Sequence, residues 1–310
     1  MAVSAHNVTT KRDIVKPLQY VTEGDSVSTA SLYGTTPSSS TFILAGNNSE
    51  INLQPDVQHM DVSVLGSEDV IDAVKTQSLY AFTLRNNPIN LNLWKYLWNA
   101  SGGGADSPDS SLSFTYSYYL NGTEYFQHLR GCRPTSGTLS VSRGMWDQTM
   151  TFVAKDITIP STTDGNGGTP VYLSSETSSS PIVHSDGGGS PFTYNSVSYG
   201  ERSFSTTVTR NMAVMAVNGE TDITYTKATD RSITFTADVF AGTASSETAL
   251  HTLYESKAAD AASYKFNSTG PVTLTYANCV LTDYGVTHAA GSTDALIESI
   301  TARAESVTDL

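Results

Sequence analysis

The sequence predicts a mainly β protein built from two tandem domains of similar plan. Charged residues make up only 15% of its 310 residues, while serine, threonine, glycine, tyrosine and valine are abundant. Such a composition favours strands and turns. One order of strand-like and helix-like segments occurs twice, ending once near Asp156 and once near Val307. The length allows two domains, each with its own core.

The repeat rests on order and spacing. In the first copy, a strand-like segment around Phe82 precedes a helical pattern and Cys132; in the second, Phe235 precedes a helical pattern and Cys279. The intervals from phenylalanine to cysteine are about 50 and 44 residues, which fits a domain better than a solenoid repeat. Cysteines in matching positions of two domains lie too far apart for a disulfide. We therefore expect two buried free thiols.

These patterns divide the chain into four parts. Residues 1–56 are expected to form an N-terminal extended arm, because short apolar islands lie among serine, threonine and glycine without a helical period. Residues 57–160 form the first β domain, residues 161–200 a linker or second arm, and residues 201–310 the second β domain. Long segments with little regular structure are often functional. We expect both arms to become ordered against a neighbouring molecule.

Two short helices are predicted, one in each domain. Apolar residues fall on one helical stripe in residues 90–99 and again in residues 247–257. These positions are Leu91, Trp94, Leu97 and Trp98 in the first helix, and Leu250, Leu253 and Tyr254 in the second. Each helix is too short to be stable alone, so each must pack on a sheet.

A β-hairpin is predicted over residues 116–126. Asn121 and Gly122 stand between two β-prone runs, and this pair favours a type I′ turn because both turn residues need positive φ. Aromatic residues on both faces of the hairpin indicate that both faces are covered. We expect a partner subunit to cover one of them.

A half-buried strand is predicted over residues 203–209. Phe204, Thr206 and Val208 share one face, while serine and threonine occupy the alternate positions. The strand therefore has an apolar inner face and a small polar outer face.

Charge and hydropathy exclude several classes of protein. A formal net charge of -13 with only 17 basic residues argues against nucleic-acid binding through phosphates. No run of about 18 apolar residues is present, and residues 1–13 do not resemble a signal peptide. We therefore expect no membrane partner and synthesis in the host cytoplasm.

No catalytic, cofactor-binding or metal-binding residue is predicted. The six histidines are scattered without ligand spacing. The calcium-loop-like residues 164–167 lack a closing glutamate, and the glycine runs lack the Lys-Ser/Thr of a phosphate loop. Gly24-Asp25-Ser26 is similar to a hydrolase nucleophile motif but lies in the extended arm with no matching histidine block. We expect that the protein is not an enzyme.

Three motifs resemble those of a known family. They are Lys16–Asp25, Leu65–Asp69, and the run Leu120–Tyr125 continuing into Arg130–Pro134. Together they resemble the tail tube (major tail) proteins of long-tailed, siphovirus-like viruses, particularly archaeal viruses. The resemblance covers most of the first domain, while the second domain fits by pattern.

The resemblance implies two tandem tail-tube-type β-sandwich/barrel domains, each with one short flanking α-helix and an extended arm. Strands of neighbouring copies would join into a continuous barrel around the genome channel. Single-domain members of the family form hexameric rings, so a duplicated chain is expected to form a homotrimer with pseudo-sixfold symmetry. Other expected partners are the terminator, baseplate and tape measure proteins, with viral DNA passing through the lumen without specific binding. The expected location is the virion tail.

Two sets of residues follow from this resemblance. The expected assembly contacts are Leu18, Tyr20, Phe42, Leu44, Tyr116, Tyr118, Asn121, Gly122 and Tyr125. The expected lumen-facing residues are Ser203, Ser205, Thr207, Thr209, Ser232 and Thr234. Deletion of Met1–Gln54 is expected to leave folded protomers that cannot stack into tubes.

Other interpretations remain open at this stage. The chain could be another virion component, such as a tail terminator, baseplate or capsid-decorating protein. A β-sandwich adhesin or glycan-binding module has a similar composition. A glycoside-cleaving enzyme needs two carboxylates that flank a cleft, and no such pair stands out. The sequence does not distinguish a trimeric from a hexameric ring.

Overall fold

A computed structural model of the chain describes most of its residues. The described ranges are 14–25, 33–36, 42–62, 72–99, 110–120, 122–141, 144–158, 182–183, 190–215, 225–240, 244–266, 273–287 and 297–309. They contain sixteen strands and two helices. The prediction of a mainly β fold is confirmed.

The elements follow one another in chain order. The first half contains β1 (Ile14–Asp25), β2 (Ile43–Leu44), β3 (Asn47–Val62), β4 (Asp72–Asn87), α1 (Asn92–Trp98), β5 (Ser110–Leu120), β6 (Thr123–Val141), β7 (Asp147–Ala154) and β8 (Asp156–Ile157). The second half contains β9 (Phe192–Tyr194), β10 (Val197–Tyr199), β11 (Glu201–Met215), β12 (Tyr225–Phe240), α2 (Ala244–Ser256), β13 (Asp260–Lys265), β14 (Thr273–Thr287), β15 (Ile297–Ala304) and β16 (Ser306–Asp309).

Eight antiparallel strands form one long sheet in the order β3-β4-β7-β6-β11-β12-β15-β14. A second layer consists of the series β2-β1-β5-β6-β8 and β10-β9-β13-β14-β16. Strands β6 and β14 run through both layers, and each has a bulge, between Pro134 and Ser136 and between Leu281 and Asp283. A bulge bends its strand, which allows one strand to serve two sheets.

The two halves of the chain repeat one set of strand pairings. Strands β3, β4, β5, β6 and β7 correspond to β11, β12, β13, β14 and β15, and α1 and α2 follow corresponding strands. Even a side-chain hydrogen bond is repeated. Thr135 Oγ1 donates to the carbonyl of Thr151 over 3.2 Å, and Thr282 Oγ1 donates to the carbonyl of Thr301 over the same distance.

The two cysteines occupy equivalent positions. Cys132 follows Gly131 (φ 62°), and Cys279 follows Asn278 (φ 50°). A Cβ at Gly131 would lie 2.6 Å from Cβ of Lys155, so only glycine fits there. Both cysteines are buried and free, as predicted. Burial raises the pKa of the Cys279 thiol to about 12, so it acts as a small apolar side chain.

Both helices lie where the sequence predicts them. Helix α1 packs closely on β6 because of Gly137, where a Cβ would lie 2.8 Å from both Trp94 Cη2 and Leu97 Cδ2. Of the apolar residues predicted to face the sheets, six are buried and Tyr254 is half-buried. The buried ones are Leu91, Trp94, Leu97, Trp98, Leu250 and Leu253.

Aromatic side chains fill the space between the layers. In the first half, Phe82 and Phe152 stack with ring centroids 4.8 Å apart, and Phe114 meets both rings edge-on. In the second half, Phe204 lies 4.2 Å from Tyr264 by ring centroids. Such pairs stabilise a core beyond the area that they bury.

The described residues of the predicted arm, residues 1–56, form strands that pair within their own chain. Strand β1 pairs with β5 along most of its length, and β3 pairs with β4. Leu18, Tyr20 and Phe42 are at most 2% exposed and pack in the core of their own chain, while Leu44 is half-buried. Leu18, Tyr20 and Phe42 are therefore covered within their own chain. Deletion of Met1–Gln54 would remove β1, β2 and half of β3, so it would disrupt the fold itself.

The linker predicted over residues 161–200 also contains sheet structure, because β9 and β10 pair with each other and β9 pairs with β13. Residues 161–181 and 184–189, like residues 1–13, lie outside the described ranges. The predicted domain boundaries stay predictions.

Glu23 fastens β1 to the strands beside it. Its carboxylate accepts hydrogen bonds from the hydroxyls of Ser111 (2.6 Å) and Ser113 (2.5 Å) and from the backbone N–H groups of Gly34 and Gly131 (both 2.8 Å). Burial raises the pKa of Glu23, although these hydrogen bonds act in the opposite direction. This side chain therefore connects β1 with β5, β6 and the segment 33–36.

His128 makes part of the stability pH-dependent. It is 4% exposed, and burial, together with the charge of Arg130, lowers the pKa of His128 from 6.5 to about 4. Between these values the unfolded chain binds a proton at His128 and the folded chain does not, so stability falls as the pH falls. We expect His128→Gln to remove a pH dependence on the order of 1–3 kcal/mol, measured by urea unfolding at pH 7 and pH 4.5.

The variant His251→Gln provides the control, because it makes the same substitution at a histidine that is exposed. Glu23 acts in the opposite sense, since a raised carboxyl pKa stabilises the fold at low pH and this contribution is lost as the pH rises. Comparison of the variant with the parent protein at each pH cancels the Glu23 contribution. Equal pH profiles for His128→Gln and the parent would contradict the prediction.

Candidate assembly surface

The two halves meet at a seam between β6 and β11. This seam is defined by the six pairs that run from Val141 opposite Phe204 to Ser136 opposite Thr209. It joins two four-stranded units of equivalent topology into the long sheet. A junction between two repeats is therefore visible within one chain.

Two arginines of the second half hold helix α1 of the first half. Arg210 donates to the carbonyl of Leu97 through Nε (3.0 Å) and to the carbonyl of Asn99 through Nη2 (2.6 Å). Arg231 donates to the carbonyl of Trp98, and burial lowers the pKa of its guanidinium. Cations suit a helix C-terminus because its carbonyls lack partners in the helix. We call this arrangement the arginine clamp.

Trp146 also crosses between the halves. It precedes β7, yet its ring lies 5.2 Å from Tyr264 and 4.4 Å from Phe266 by ring centroids. It is 1% exposed. The first half thus supplies a large aromatic side chain to the core of the second half.

The long sheet has an open edge at each end. Among the described residues, β3 pairs with β4 alone, and β14 beyond its bulge pairs with β15 alone. In the repeat, β3 corresponds to β11 and β14 corresponds to β6, the two strands that pair at the seam. Unpaired edges readily associate with another strand. Each open edge strand is therefore equivalent to one of the two strands that pair at the seam.

One face of the long sheet is covered by hydroxyl groups. Phe204, Thr206 and Val208 are buried on the core side, which confirms the predicted alternation in β11. The opposite face carries all six residues predicted to line a lumen: Ser203, Ser205, Thr207 and Thr234 are half-buried, and Thr209 and Ser232 are exposed. We call this surface the hydroxyl face.

Hydrogen bonds cross the strands on the hydroxyl face. The hydroxyls of Thr138 and Thr207 lie 3.1 Å apart across the seam. Asp238 accepts from the hydroxyls of Ser203 (2.8 Å) and Ser299 (2.6 Å). The hydroxyl face therefore continues across the boundary between the two halves.

Acidic side chains share this face with arginines. The described strand registers place Glu50, Asp147, Asp238 and Asp283 on it, together with Arg85 and Arg303. The described part of the hydroxyl face consequently has no excess of positive charge.

The predicted hairpin is present. Leu120 pairs with Thr123, which leaves a two-residue turn, and Gly122 has φ 79°. On one face of the hairpin, Tyr118 lies 6.0 Å from Tyr125 and 6.1 Å from Tyr116 by ring centroids. Asn121 lies outside the described residues. These tyrosines cover one another within the chain.

The expectation that a partner subunit covers one face of this hairpin remains a prediction. Tyr119, on the other face, is 43% exposed. It is therefore an aromatic residue of the hairpin that another molecule could cover.

The described residues contain neither a metal-binding cluster nor a helix that could span a membrane. They contain no group of three or more His, Cys, Asp or Glu placed to hold a metal ion. None of the helices among them is long and apolar enough to cross a membrane.

Comparisons with known proteins give limited similarity. No protein-family model and no curated protein sequence matches the chain. Among solved structures, the chain is similar to Hcp1 from Flavobacterium johnsoniae, with 15% sequence identity and a TM-score of 0.24. The similar region covers 38% of this chain and 91% of that protein.

Proposed function

We propose that this chain is a structural protein whose copies join through the edges of the long sheet into a closed ring, and that such rings stack into a viral tail tube. One observation carries the proposal. The two open edges, β3 and β14, correspond to the two strands that already pair at the seam. Copies that paired β14 with β3 of the next copy would repeat a junction that the chain already makes.

A closed ring also explains how such edges are tolerated. A long open edge promotes uncontrolled association, and closure of a sheet removes its edges. Three copies with eight strands each would give a barrel of about 24 strands. With a strand spacing of ~4.8 Å and a tilt of ~40°, the barrel would be about 50 Å wide at the backbone. That width accommodates a DNA double helix.

The position and composition of the hydroxyl face support its assignment to the lumen. The other face of the long sheet packs against the second layer and the helices, so the hydroxyl face is the free side of the barrel wall. Short serine and threonine side chains keep the bore wide and hydrated. Since DNA is bound largely through basic groups that neutralise phosphates, a face without excess positive charge lets viral DNA pass without specific binding.

The remaining partners follow from this arrangement. A tube has two ends, which the terminator and baseplate proteins would occupy, and a lumen that a tape measure protein would fill before DNA enters. The chain would be made in the host cytoplasm and function in the virion tail. We favour a homotrimeric ring with pseudo-sixfold symmetry, because each copy already contains two equivalent units.

The test is negative-stain electron microscopy of the purified protein over a concentration series, with light scattering to measure mass. We expect rings or hollow tubes, with a smallest ring of three times the mass of the chain. Rings of six chains would retain the tube function and reject the trimer. A protein that stays monomeric at every concentration and salt condition would overturn the proposal.

A further inference from the structure

We infer that the junction between copies repeats the register of the seam, with β14 of one copy and β3 of the next as the paired strands. The expected partners are Thr287 opposite Asn52, Val286 opposite Leu53, and Gly285 opposite Gln54. The occupant of each open edge is therefore a second copy of this chain in a specified alignment. This inference rests on the proposed function.

The correspondence of β14 with β6 follows from three shared features. Cys279 matches Cys132, the bulges follow these cysteines at the same interval, and Thr282 repeats the hydrogen bond of Thr135. Counting onward from either cysteine places Thr287 at the position of Ser140.

The correspondence of β3 with β11 follows from their partner strands. Phe82 in β4 pairs with Leu53, and its counterpart Phe235 in β12 pairs with Thr206. Phe82 lies in β4, which pairs with β7, and Phe235 lies in β12, which pairs with β15. The two phenylalanines are equivalent because Thr151 of β7 corresponds to Thr301 of β15, and each phenylalanine stands at the same position relative to that threonine. Leu53 therefore occupies the position of Thr206.

The seam then supplies the register. Its central pairs are Ser140 with Ser205, Leu139 with Thr206, and Thr138 with Thr207. Replacing each residue by its counterpart gives Thr287 with Asn52, Val286 with Leu53, and Gly285 with Gln54. No gap enters either strand over these positions.

Exposure of the core-facing side chains at the two edges supports the same junction. At the seam, Leu139 is 0% exposed and Phe204 and Thr206 are each 1% exposed. Their edge counterparts Val286, Ile51 and Leu53 are only half-buried. Apolar surface that is covered at the seam thus remains partly open at the edges. Pairing of two copies would bury it, and burial of apolar surface is favourable.

Helix α2 borders the β14 edge on the same side. Tyr284 of β14 lies 6.1 Å from Tyr254 and 5.7 Å from His251 by ring centroids. Tyr284 corresponds to Gly137, over which α1 packs at the seam. The helix of the second half therefore flanks the open edge much as α1 flanks the seam, and the core-facing side of an incoming β3 would meet it.

Disulfide trapping tests the register. In the variant Asn52→Cys/Thr287→Cys, the new cysteines would lie directly opposite each other, within the ~4.4–6.8 Å Cα separation that a disulfide needs. After mild oxidation, non-reducing electrophoresis should show covalent dimers and trimers and no longer ladder, because a ring of three closes. The native cysteines are buried and can stay in place.

Two matched variants serve as controls. Ser140→Cys/Ser205→Cys places cysteines at the equivalent positions of the seam and should give an intrachain disulfide, with no change in mass. Glu50→Cys/Gly285→Cys shifts the junction by four residues and should give no cross-link. An equimolar mixture of the single variants Asn52→Cys and Thr287→Cys should give dimers only. Each chain then carries one new cysteine and can form only one cross-link.

The outcomes separate this inference from the proposed function. Cross-linked trimers at the predicted pair support the register. Rings visible by electron microscopy without that cross-link, while the seam control forms, overturn the register and leave the tube function standing. A cross-link at the shifted pair overturns the register as well. An absence of any assembly by microscopy overturns the proposed function and, with it, the inference.

Discussion

Replacement of Trp146 by alanine is expected to lower the free energy of unfolding by about 3–5 kcal/mol, the usual cost of truncating a fully buried large aromatic residue. The ring is 1% exposed and contacts Phe204, Tyr264 and Phe266. Its loss would leave a cavity in the core of the second half, next to the seam. Urea unfolding followed by circular dichroism measures the effect.

The adjacent Met145 provides the control for this variant. It is 46% exposed, so Met145→Ala should change the free energy of unfolding by less than about 0.5 kcal/mol. Trp146→Phe, which retains part of the aromatic contact, should give an intermediate loss. A loss below 1 kcal/mol for Trp146→Ala would show that the two halves do not depend on this contact.

Replacement of Leu53 by glutamate is expected to abolish ring formation. In the inferred junction, Leu53 faces the core side opposite Val286, so closure would bury a carboxylate without a partner. An unpaired charge of this kind costs about 3–5 kcal/mol per junction, which weakens each contact by a factor of roughly 100 to 4,000. Light scattering should show monomers at concentrations where the parent protein forms rings.

Neighbouring positions separate an assembly defect from a folding defect. Asn52→Glu, one residue away and exposed on the hydroxyl face, should assemble and unfold like the parent protein. Addition of Val286→Lys to Leu53→Glu should restore part of the assembly, because each junction would then contain an opposite charge. Normal rings from Leu53→Glu would show that β3 does not take part in the junction.

Local patterns in the sequence predict the elements that depend on local residues. Alternation in β11, the stripe of α1 and the Asn121-Gly122 turn all act over a few positions, and the structure has elements at each of these places. The burial of Leu18 and Tyr20 within their own chain is not predictable from local patterns, for the same reason. Their strand pairs with β5, about a hundred residues later in the chain, and a pairing of that range leaves no local signal.

The hydroxyl face could be read from the sequence, whereas the arginine clamp could not. Serine and threonine at alternate positions of β11 mark a face wherever the strand pairs. The partners of Arg210 and Arg231 lie 111 to 133 residues away, so their roles emerge only in the fold. One signal was present: Arg210 continues the inward series of Phe204, Thr206 and Val208, and an arginine at an inward position requires a buried partner.

The arginine clamp has a mechanical consequence for the proposed tube. The positions that correspond to Arg210 and Arg231 at the junction between copies are Val57 and Ser78, and neither valine nor serine can supply a guanidinium group. A ring of three copies would therefore alternate three stiff joints with three compliant ones. Under a bending load, or under outward pressure from the genome, strain would concentrate at the compliant joints. The tube wall would flex along three lines, while the seams within the chains kept their shape.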